Sequence, residues 1–343
     1  MGLSACDMGK RVQPRGESLT IIASDPEAAE GLDCQLDSGS SCGLPVGGPL
    51  RFKFDRWLLP TTATRQSLAM YTAGTGLGVM LRPSYDVASR TIAYAFELPM
   101  PAGAGRVFNL RLADADQDPN GYGFRGFDGV PLDSSVTIAF RTALEWSSSA
   151  PAEGLASGPP SCADVVRTFA RAGCNRLGCH SREASSNCAG TSVGMAWDES
   201  LQQCVNVPRM GLLLDDAQGL LATAIDHVAH ETQNGTDTSL RFESGGRFGD
   251  QMPIIDKGRP ENSYLIYKLL VGKAFNRELH DRADSADSMS AEPMTEEQIS
   301  HARDWFIRFG PMPPDEVGAP DGVSMFDTYT TLAAWIRAGA SCP

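Results

Sequence analysis

The residues with the clearest chemical potential lie in the run Cys174-Asn-Arg-Leu-Gly-Cys179-His180, where two cysteines precede a histidine. Two cysteines with a histidine directly after the second form the sequence motif for covalent attachment of c-type haem. In that chemistry the thiols add across the porphyrin vinyl groups, and the imidazole binds the iron as its proximal ligand. The run therefore predicts haem c bound by Cys174 and Cys179, with His180 as the iron ligand.

The spacing of this run differs from the usual pattern. Four residues separate Cys174 from Cys179, whereas the common attachment motif has about two between its cysteines. The longer loop resembles a known minority variant of the motif. The other interpretation is a disulfide between Cys174 and Cys179, in which His180 has no haem to bind.

A methionine thioether opposite the histidine is the common second axial ligand in cytochromes c, and it raises the haem potential. Met312 is the favoured candidate because the prolines before and after it stiffen an extended segment. The sequence leaves other ligands open, some of them methionines and some histidines: Met252, Met289, His227, His230, His280 and His301.

Composition and charge narrow the classes of function. With 343 residues, 42% of them hydrophobic and 21% charged, the chain is long enough for two or three domains with cores of their own. A net charge of -13 and a pI near 4.8 argue against nucleic-acid binding. The sequence contains neither the roughly 20 consecutive apolar residues of a membrane-spanning helix nor a complete signal peptide at its start.

The cysteines predict an exported protein. Leu3-Ser-Ala-Cys6 resembles the lipobox of bacterial lipoproteins, so Cys6 is the expected lipidation site, with the rest of the signal upstream. Assigning Cys6 to lipid and two cysteines to haem leaves six of the nine. These form three candidate disulfides in loop-like sequence: Cys34 with Cys42, Cys188 with Cys204, and Cys162 with Cys342.

Disulfides require an oxidising compartment, and bacterial haem attachment also takes place outside the cytoplasm. We therefore expect the bacterial cell envelope, either the periplasm or an outer-membrane lipoprotein that reaches the membrane by its lipid anchor only. The alternative is a cytosolic protein with six reduced thiols and an ordinary cysteine in an N-terminal tail.

A stretch rich in Ala, Ser, Pro and Gly at residues 143–160 predicts a linker. It separates an N-terminal tail (1–17) and a β-rich domain (18–142) from a helical domain (161–343).

The β-rich domain shows the period-two alternation of half-buried strands at residues 51–55, 107–112 and 136–140. Short strands at this spacing predict an all-β antiparallel sandwich. Residues 49–60, 85–94, 108–116 and 138–142 resemble the bacterial Ig-like family of surface-layer and other envelope proteins. The resemblance implies an Ig-like β-sandwich that acts as a spacer. We expect Tyr122, Phe124 and Phe127 to lie in its core or to anchor its loops, and the alternative is that they form an exposed binding surface.

The second half is mainly α. We expect a helix over residues 164–172, a second that opens with the capping box Thr295-Glu-Glu-Gln298 and runs to about residue 309, and a third over 330–338. This half resembles the cytochrome c-like domains of exported proteins in myxobacteria and planctomycetes. The resemblance lies in the order of five segments: the Cys-His run, residues 211–215, residues 256–270, a Met-Pro pair and residues 334–340. That resemblance implies a haem domain over residues 161–343 with an unknown redox partner.

Together these observations predict an exported, lipid-anchored monohaem c-type cytochrome that transfers electrons. One alternative is a secreted, disulfide-stapled structural or binding protein without haem, and another is a haem peroxidase-like enzyme. The sequence has no Gly-x-Ser-x-Gly or phosphate-binding motif, and His227-Val-Ala-His230 lacks the spacing of a zinc protease. Electron transfer is therefore favoured over catalysis.

Overall fold

The computed structural model describes residues 17–25, 43–44, 49–72, 75–96, 107–112, 123–142, 158–175, 180–181, 184–185, 195–198, 203–206, 211–229, 232, 248–249, 251–282, 289–307, 311–315 and 319–343. The chain forms two compact units of mixed sheet and helix. The β unit comprises Arg11–Ala156 and Ser285–Ala291, and the helical unit comprises Met1–Lys10, Ser157–Asp284 and Glu292–Pro343. Most of the predicted linker lies outside the described residues.

The described strands of the β unit form two four-stranded sheets. In chain order they are β1 (Ile21–Asp25), β2 (Gly43–Leu44), β3 (Leu50–Phe54), β4 (Leu68–Thr72), β5 (Leu81–Asp86), β6 (Thr91–Phe96), β7 (Val107–Leu112) and β8 (Val136–Thr142). One sheet has the order β1-β3-β6-β5 and the other β2-β8-β7-β4. Neighbouring strands are antiparallel except for β2 and β8. The strands predicted over residues 51–55, 107–112 and 136–140 are present as β3, β7 and β8.

Aromatic side chains fill the described core of the β unit. Phe54 of β3 contacts Phe124 with ring centroids 5.1 Å apart, and Trp57 contacts Phe127 at 5.8 Å. All four side chains are buried, as expected for Phe124 and Phe127. Tyr122, predicted with them, lies outside the described residues.

Lys53 departs from the alternation expected of β3. Its side chain is 0% exposed instead of facing solvent, and Nζ donates a hydrogen bond to the carbonyl oxygen of Ser290 at 2.9 Å. Ser290 belongs to the segment that the β unit takes from the C-terminal half of the chain. A buried ammonium needs such a partner because an unsatisfied one is costly.

The helical unit combines helices with a small antiparallel sheet. Its described helices are α1 (Cys162–Arg171), α2 (Ala217–Thr223), α3 (Tyr264–Leu270), α4 (Lys273–Arg282), α5 (Glu296–Trp305) and α6 (Met325–Arg337). Its strands are β9 (Ala184–Ser185), β10 (Met195–Asp198) and β11 (Gln203–Asn206), in the order β10-β11-β9. Helix α6 packs against α1, α3 and α4, and every residue of α3 is buried.

Capping residues set the helix boundaries. The predicted capping box of α5 is present, with Thr295 and Gln298 bonded reciprocally, and α1 begins with an equivalent box formed by Ser161 and Asp164. Helix α5 ends at Trp305, not near residue 309, and α6 begins at Met325, not at residue 330. The earlier start of α6 follows from the cap at Ser324, whose hydroxyl accepts from the Asp327 N–H.

A disulfide joins Cys162, the first residue of α1, to Cys342 beyond the end of α6. This is one of the three bridges predicted from the sequence. It links the two ends of the second half of the chain across 180 residues, so it restricts the unfolded chain over nearly the whole helical unit.

Candidate functional site

Cys174 lies in the turn that ends α1. Gly173 adopts a left-handed conformation with φ of 75°, and its N–H donates to the carbonyl oxygen of Ala170 at 3.2 Å. The Cys174 N–H donates to the carbonyl oxygen of Phe169 at 2.9 Å. These two bonds form a Schellman motif, which fixes the backbone direction after the helix. The Cys174 side chain is 2% exposed, and Cys179 lies outside the described residues.

The His180 imidazole is oriented by a backbone carbonyl. Its Nδ1 lies 3.2 Å from the carbonyl oxygen of Leu212, and the ring is half-buried. A histidine that donates from Nδ1 presents Nε2 to a metal, and metal-binding histidines usually make such a bond with the other ring nitrogen. The hydrogen bond therefore assigns any iron bond of His180 to Nε2.

The segment after Gly211 fixes this carbonyl in position. The Leu214 N–H donates to the carbonyl oxygen of His180 at 2.9 Å, and the Leu213 N–H donates to the hydroxyl of Thr223 on α2 at 2.9 Å. His180 is thus bonded to residues 212–214 through both its ring and its backbone. Residue types alone do not reveal that the Leu212 carbonyl orients the His180 ring, because the two residues are 32 positions apart in the chain.

Backbone bridges continue from α2 to α3. Ile225 pairs with Ile255, and Val228 pairs with Pro253. The Tyr264 N–H at the start of α3 then donates to the carbonyl oxygen of Pro253 at 2.9 Å. These contacts connect the segment that orients His180 with the buried helix α3.

Met312 is bonded to the other end of α3. Its N–H donates to the carbonyl oxygen of Lys268 at 3.0 Å, and its side chain is 7% exposed. Lys268 is itself buried, with Nζ 5.7 Å from the centroid of the Tyr264 ring. Cys174, His180 and Met312 therefore all belong to the helical unit. Described backbone contacts run from His180 through α2 and α3 to Met312.

The other candidate ligands differ in their surroundings. Met252 is buried in the helical unit and its carbonyl oxygen accepts from the Ala229 N–H at 2.9 Å. Met289 is buried but belongs to the β unit. Of the histidines, His227 and His280 are exposed. His301 is half-buried on α5, with its ring 6.2 Å from that of Trp305. His230 lies outside the described residues.

Of the other cysteines with a predicted role, only Cys204 lies among the described residues. Cys204 lies in β11, where it pairs with Trp197 of β10 and Ser185 of β9. The remaining predicted sites lie outside the described residues: Cys6, Cys34, Cys42 and Cys188. The bridges Cys34–Cys42 and Cys188–Cys204 and the lipidation of Cys6 thus stay predictions.

The described residues also bear on other kinds of site. Within the described ranges, no three His, Cys, Asp or Glu side chains are grouped so that they could hold a metal ion. A haem iron takes only its axial ligands from the protein, so this result concerns ions held by side chains alone. Among the helices that the structure describes, none combines the length and apolar composition needed to cross a membrane.

Comparison with known proteins gives weak similarities. No family profile matches the chain, and no curated protein matches it. A structure of domains 1–6 of surface layer protein SbsC has 8% sequence identity and a TM-score of 0.26, over 37% of this chain and 14% of that one. The N-terminal part of the bacterial S-layer protein SbsC has the same identity and TM-score, over 37% of this chain and 24% of that one. The chain thus spans less than a quarter of the length of either protein.

Proposed function

We propose that this chain is an exported, lipid-anchored monohaem c-type cytochrome that transfers electrons. The observation that carries the proposal is the hydrogen bond between His180 Nδ1 and the Leu212 carbonyl, in a histidine that directly follows Cys179. A proximal ligand requires a fixed ring with Nε2 directed to the iron, and this bond selects that tautomer.

The residues around His180 fit covalent haem. Cys174 follows a helix end whose geometry is fixed by two backbone hydrogen bonds, so the backbone position of the first thioether-forming cysteine is defined. Cys174 and Cys179 would form the two thioethers, His180 would bind iron through Nε2, and Met312 would supply the opposite ligand. Haem c bound in this way supplies a reversible one-electron iron couple, and a thioether ligand raises its potential.

The remaining features support export and presentation of such a domain. The Cys162–Cys342 disulfide suits an oxidising compartment, and Cys6 would carry the lipid. The β unit would act as an Ig-like spacer between the membrane surface and the haem domain. The redox partner would approach the exposed haem edge, and the net charge of -13 favours a partner with a basic surface.

The decisive test is expression behind a periplasmic signal in a host that matures c-type cytochromes, followed by intact mass and a reduced absorption spectrum. We expect one covalent haem per chain with sharp α and β bands. The variant Cys174→Ala/Cys179→Ala should lose the mass increment. The matched double variant Cys34→Ser/Cys42→Ser, which changes two other cysteines, should keep it.

The other outcomes identify the alternatives. A folded protein without haem, with a Cys174–Cys179 disulfide in its peptide map, would indicate a disulfide-stapled structural or binding protein. Covalent haem with a five-coordinate iron and turnover of peroxide would indicate a peroxidase-like enzyme. Either result would overturn the proposed electron-transfer function.

A further inference from the structure

Three helices meet at the short segment of residues 311–315, which contains Met312. The Met312 N–H donates to the carbonyl oxygen of Lys268 in the last turn of α3. The Asp315 carboxylate accepts from the backbone N–H of Lys273, the first residue of α4, at 2.8 Å. It also accepts from the Arg303 guanidinium of α5 at 3.3 Å. One end of this segment is thus bonded to α3 and the other to both α4 and α5.

The two bonds of Asp315 are of kinds that stabilise a carboxylate. An anion at the N-terminus of a helix interacts favourably with N–H groups that lack a partner within the helix. A hydrogen bond between two ionised groups is stronger than one between neutral groups. The Asp315 side chain is 14% exposed and that of Arg303 is 37% exposed, so solvent reaches the pair mainly from the arginine side.

The backbone between Met312 and Asp315 has little freedom of its own. Residues 313 and 314 are both prolines, and each fixes its φ near −65°. On the other side, Pro311 lies close to Gly272, where an added Cβ would be 3.5 Å from the proline Cβ. Because the intervening residues are stiff, holding Asp315 in place also restricts the position of Met312.

We infer that Asp315 is a positioning residue that holds Met312 ready to bind the haem iron, an inference that rests on the proposed function. A thioether is a neutral ligand that binds iron through one sulfur atom, so the cost of ordering its segment weighs heavily against the bond. A segment already ordered by Asp315 avoids most of that cost on binding. Removing the carboxylate lowers the fraction of iron that carries methionine.

The test uses the haem-loaded full chain and four variants: Asp315→Ala, Arg303→Gln, Met312→Leu and the double variant Asp315→Ala/Met312→Leu. The measurements are intact mass, the far-red charge-transfer absorption of methionine-ligated ferric haem, and the reduction potential. We expect Asp315→Ala to lower the ratio of methionine-ligated to unligated iron about tenfold, the scale of outer-shell effects on metal sites. The reduction potential of Asp315→Ala should fall towards that of Met312→Leu. The reduction potential of the double variant should be no lower than that of Met312→Leu.

The matched control is Asp304→Asn, which removes a carboxylate from an exposed position of α5 and should leave the absorption and the potential unchanged. Arg303→Gln keeps the bond from Asp315 to Lys273 and should show a smaller effect of the same sign, which keeps the test available if Asp315→Ala does not fold. Asp315→Glu should restore part of the far-red absorption. Hydrogen exchange at the Met312 amide should accelerate in Asp315→Ala, with or without haem.

Three negative results are distinguishable. Absence of the covalent haem mass in the unmodified protein would overturn the proposed function and this inference with it. Covalent haem with the same far-red absorption and potential in Asp315→Ala as in the unmodified protein would overturn the positioning role alone. A far-red band that survives Met312→Leu would also overturn it, and Met252→Leu would then identify the ligand.

Discussion

The carboxylate of Glu278 on α4 accepts a hydrogen bond from the backbone N–H of Met325, the first residue of α6, at 2.6 Å. The same carboxylate accepts from the Phe326 N–H at 3.1 Å and from the Ser324 hydroxyl at 2.6 Å. Arg282, one turn further along α4, lies 2.7 Å from it. A side chain of one helix thus satisfies the first N–H groups of another, which have no partner within their own helix.

This arrangement makes the stability of the helical unit depend on pH. Burial by itself would raise the pKa of Glu278, but the bonds from Ser324, Phe326 and Met325 and the charge of Arg282 outweigh it and lower the pKa from its usual 4.5. The stabilisation is therefore present above about pH 4.5 and is lost as the pH falls through the lowered pKa of the folded state. We expect Glu278→Gln to cost about 1 kcal/mol at neutral pH, as for loss of a helix cap, and progressively less in acid.

The measurement is urea unfolding followed by far-UV circular dichroism at neutral and acidic pH. Glu297→Gln is the matched control, because Glu297 is an exposed residue in the first turn of α5, and we expect it to change stability by no more than about 0.5 kcal/mol. A difference between Glu278→Gln and the unmodified protein that stays constant down to the most acidic pH would contradict the prediction.

The Cys162–Cys342 disulfide should dominate the stability of the helical unit. Its cysteines are separated by 180 positions in the sequence, for which the loop-closure relation gives a contribution of about 5 kcal/mol, an upper value because unfolded chains retain structure. We expect Cys162→Ser/Cys342→Ser to lower the urea midpoint of the transition that reports helix.

The predicted bridge between Cys34 and Cys42 provides the comparison for that result. Cys34→Ser/Cys42→Ser removes a predicted bridge that would close a short loop, so the chain-entropy effect should be smaller. If both double variants lowered the helix-reporting midpoint equally, the long loop would not be the source of the stabilisation.

The elements predicted correctly are those with strong local signals. The capping box at Thr295 and Gln298, the end of the first helix at Gly173 and the three strands with period-two alternation all depend on neighbouring residues. The Cys162–Cys342 bridge followed from a different kind of argument, the pairing of the leftover cysteines at the two ends of a domain.

The features that the sequence did not predict depend on contacts between distant residues. The start of α6 at Met325 is stabilised by Glu278, 47 positions earlier, which accepts the Met325 N–H and adds to the local cap at Ser324. Lys53 is buried because a carbonyl 237 positions later accepts from its ammonium. The Leu212 carbonyl that orients His180 lies 32 positions from it, and Asp315 lies 42 positions from Lys273 and 12 from Arg303. Local pattern carries no information on such partners.

Arg56 and Asp128 form a charge pair in the β unit whose loss should be costly. The Arg56 guanidinium lies 3.0 Å from Asp128, whose side chain is 0% exposed, and 2.8 Å from Asp55. Burial alone would lower the pKa of Arg56, but the two carboxylates outweigh it and raise the pKa. We expect Asp128→Asn to destabilise the β unit by about 3 kcal/mol, because it removes one partner of a buried pair. Asp133→Asn, at an exposed position, is the control for urea unfolding, and an equal loss in the two variants would contradict the expectation.

Gly249 packs against Phe306 so closely that a side chain cannot be added without rearrangement. Its φ is +89°, and a Cβ there would lie 2.8 Å from the Phe306 Cβ and 2.9 Å from Cδ2. Phe306 also contacts the rings of Phe248 and Tyr267, with centroids 4.8 and 5.1 Å away, so it has little room to move. We expect Gly249→Ala to cost about 3 kcal/mol, the sum of left-handed backbone strain and overpacking.

Gly258 separates these two contributions. It has a similar φ of +79°, but an added Cβ would meet nothing within 4 Å, so Gly258→Ala should cost only the backbone part, about 1 kcal/mol. The difference between the two variants in urea unfolding measures the packing of Gly249 on Phe306. Replacing Phe306 by leucine should shrink that difference, since a smaller side chain leaves room for the added methyl group. Equal losses in Gly249→Ala and Gly258→Ala would mean that the aromatic cluster rearranges freely, which its ring contacts argue against.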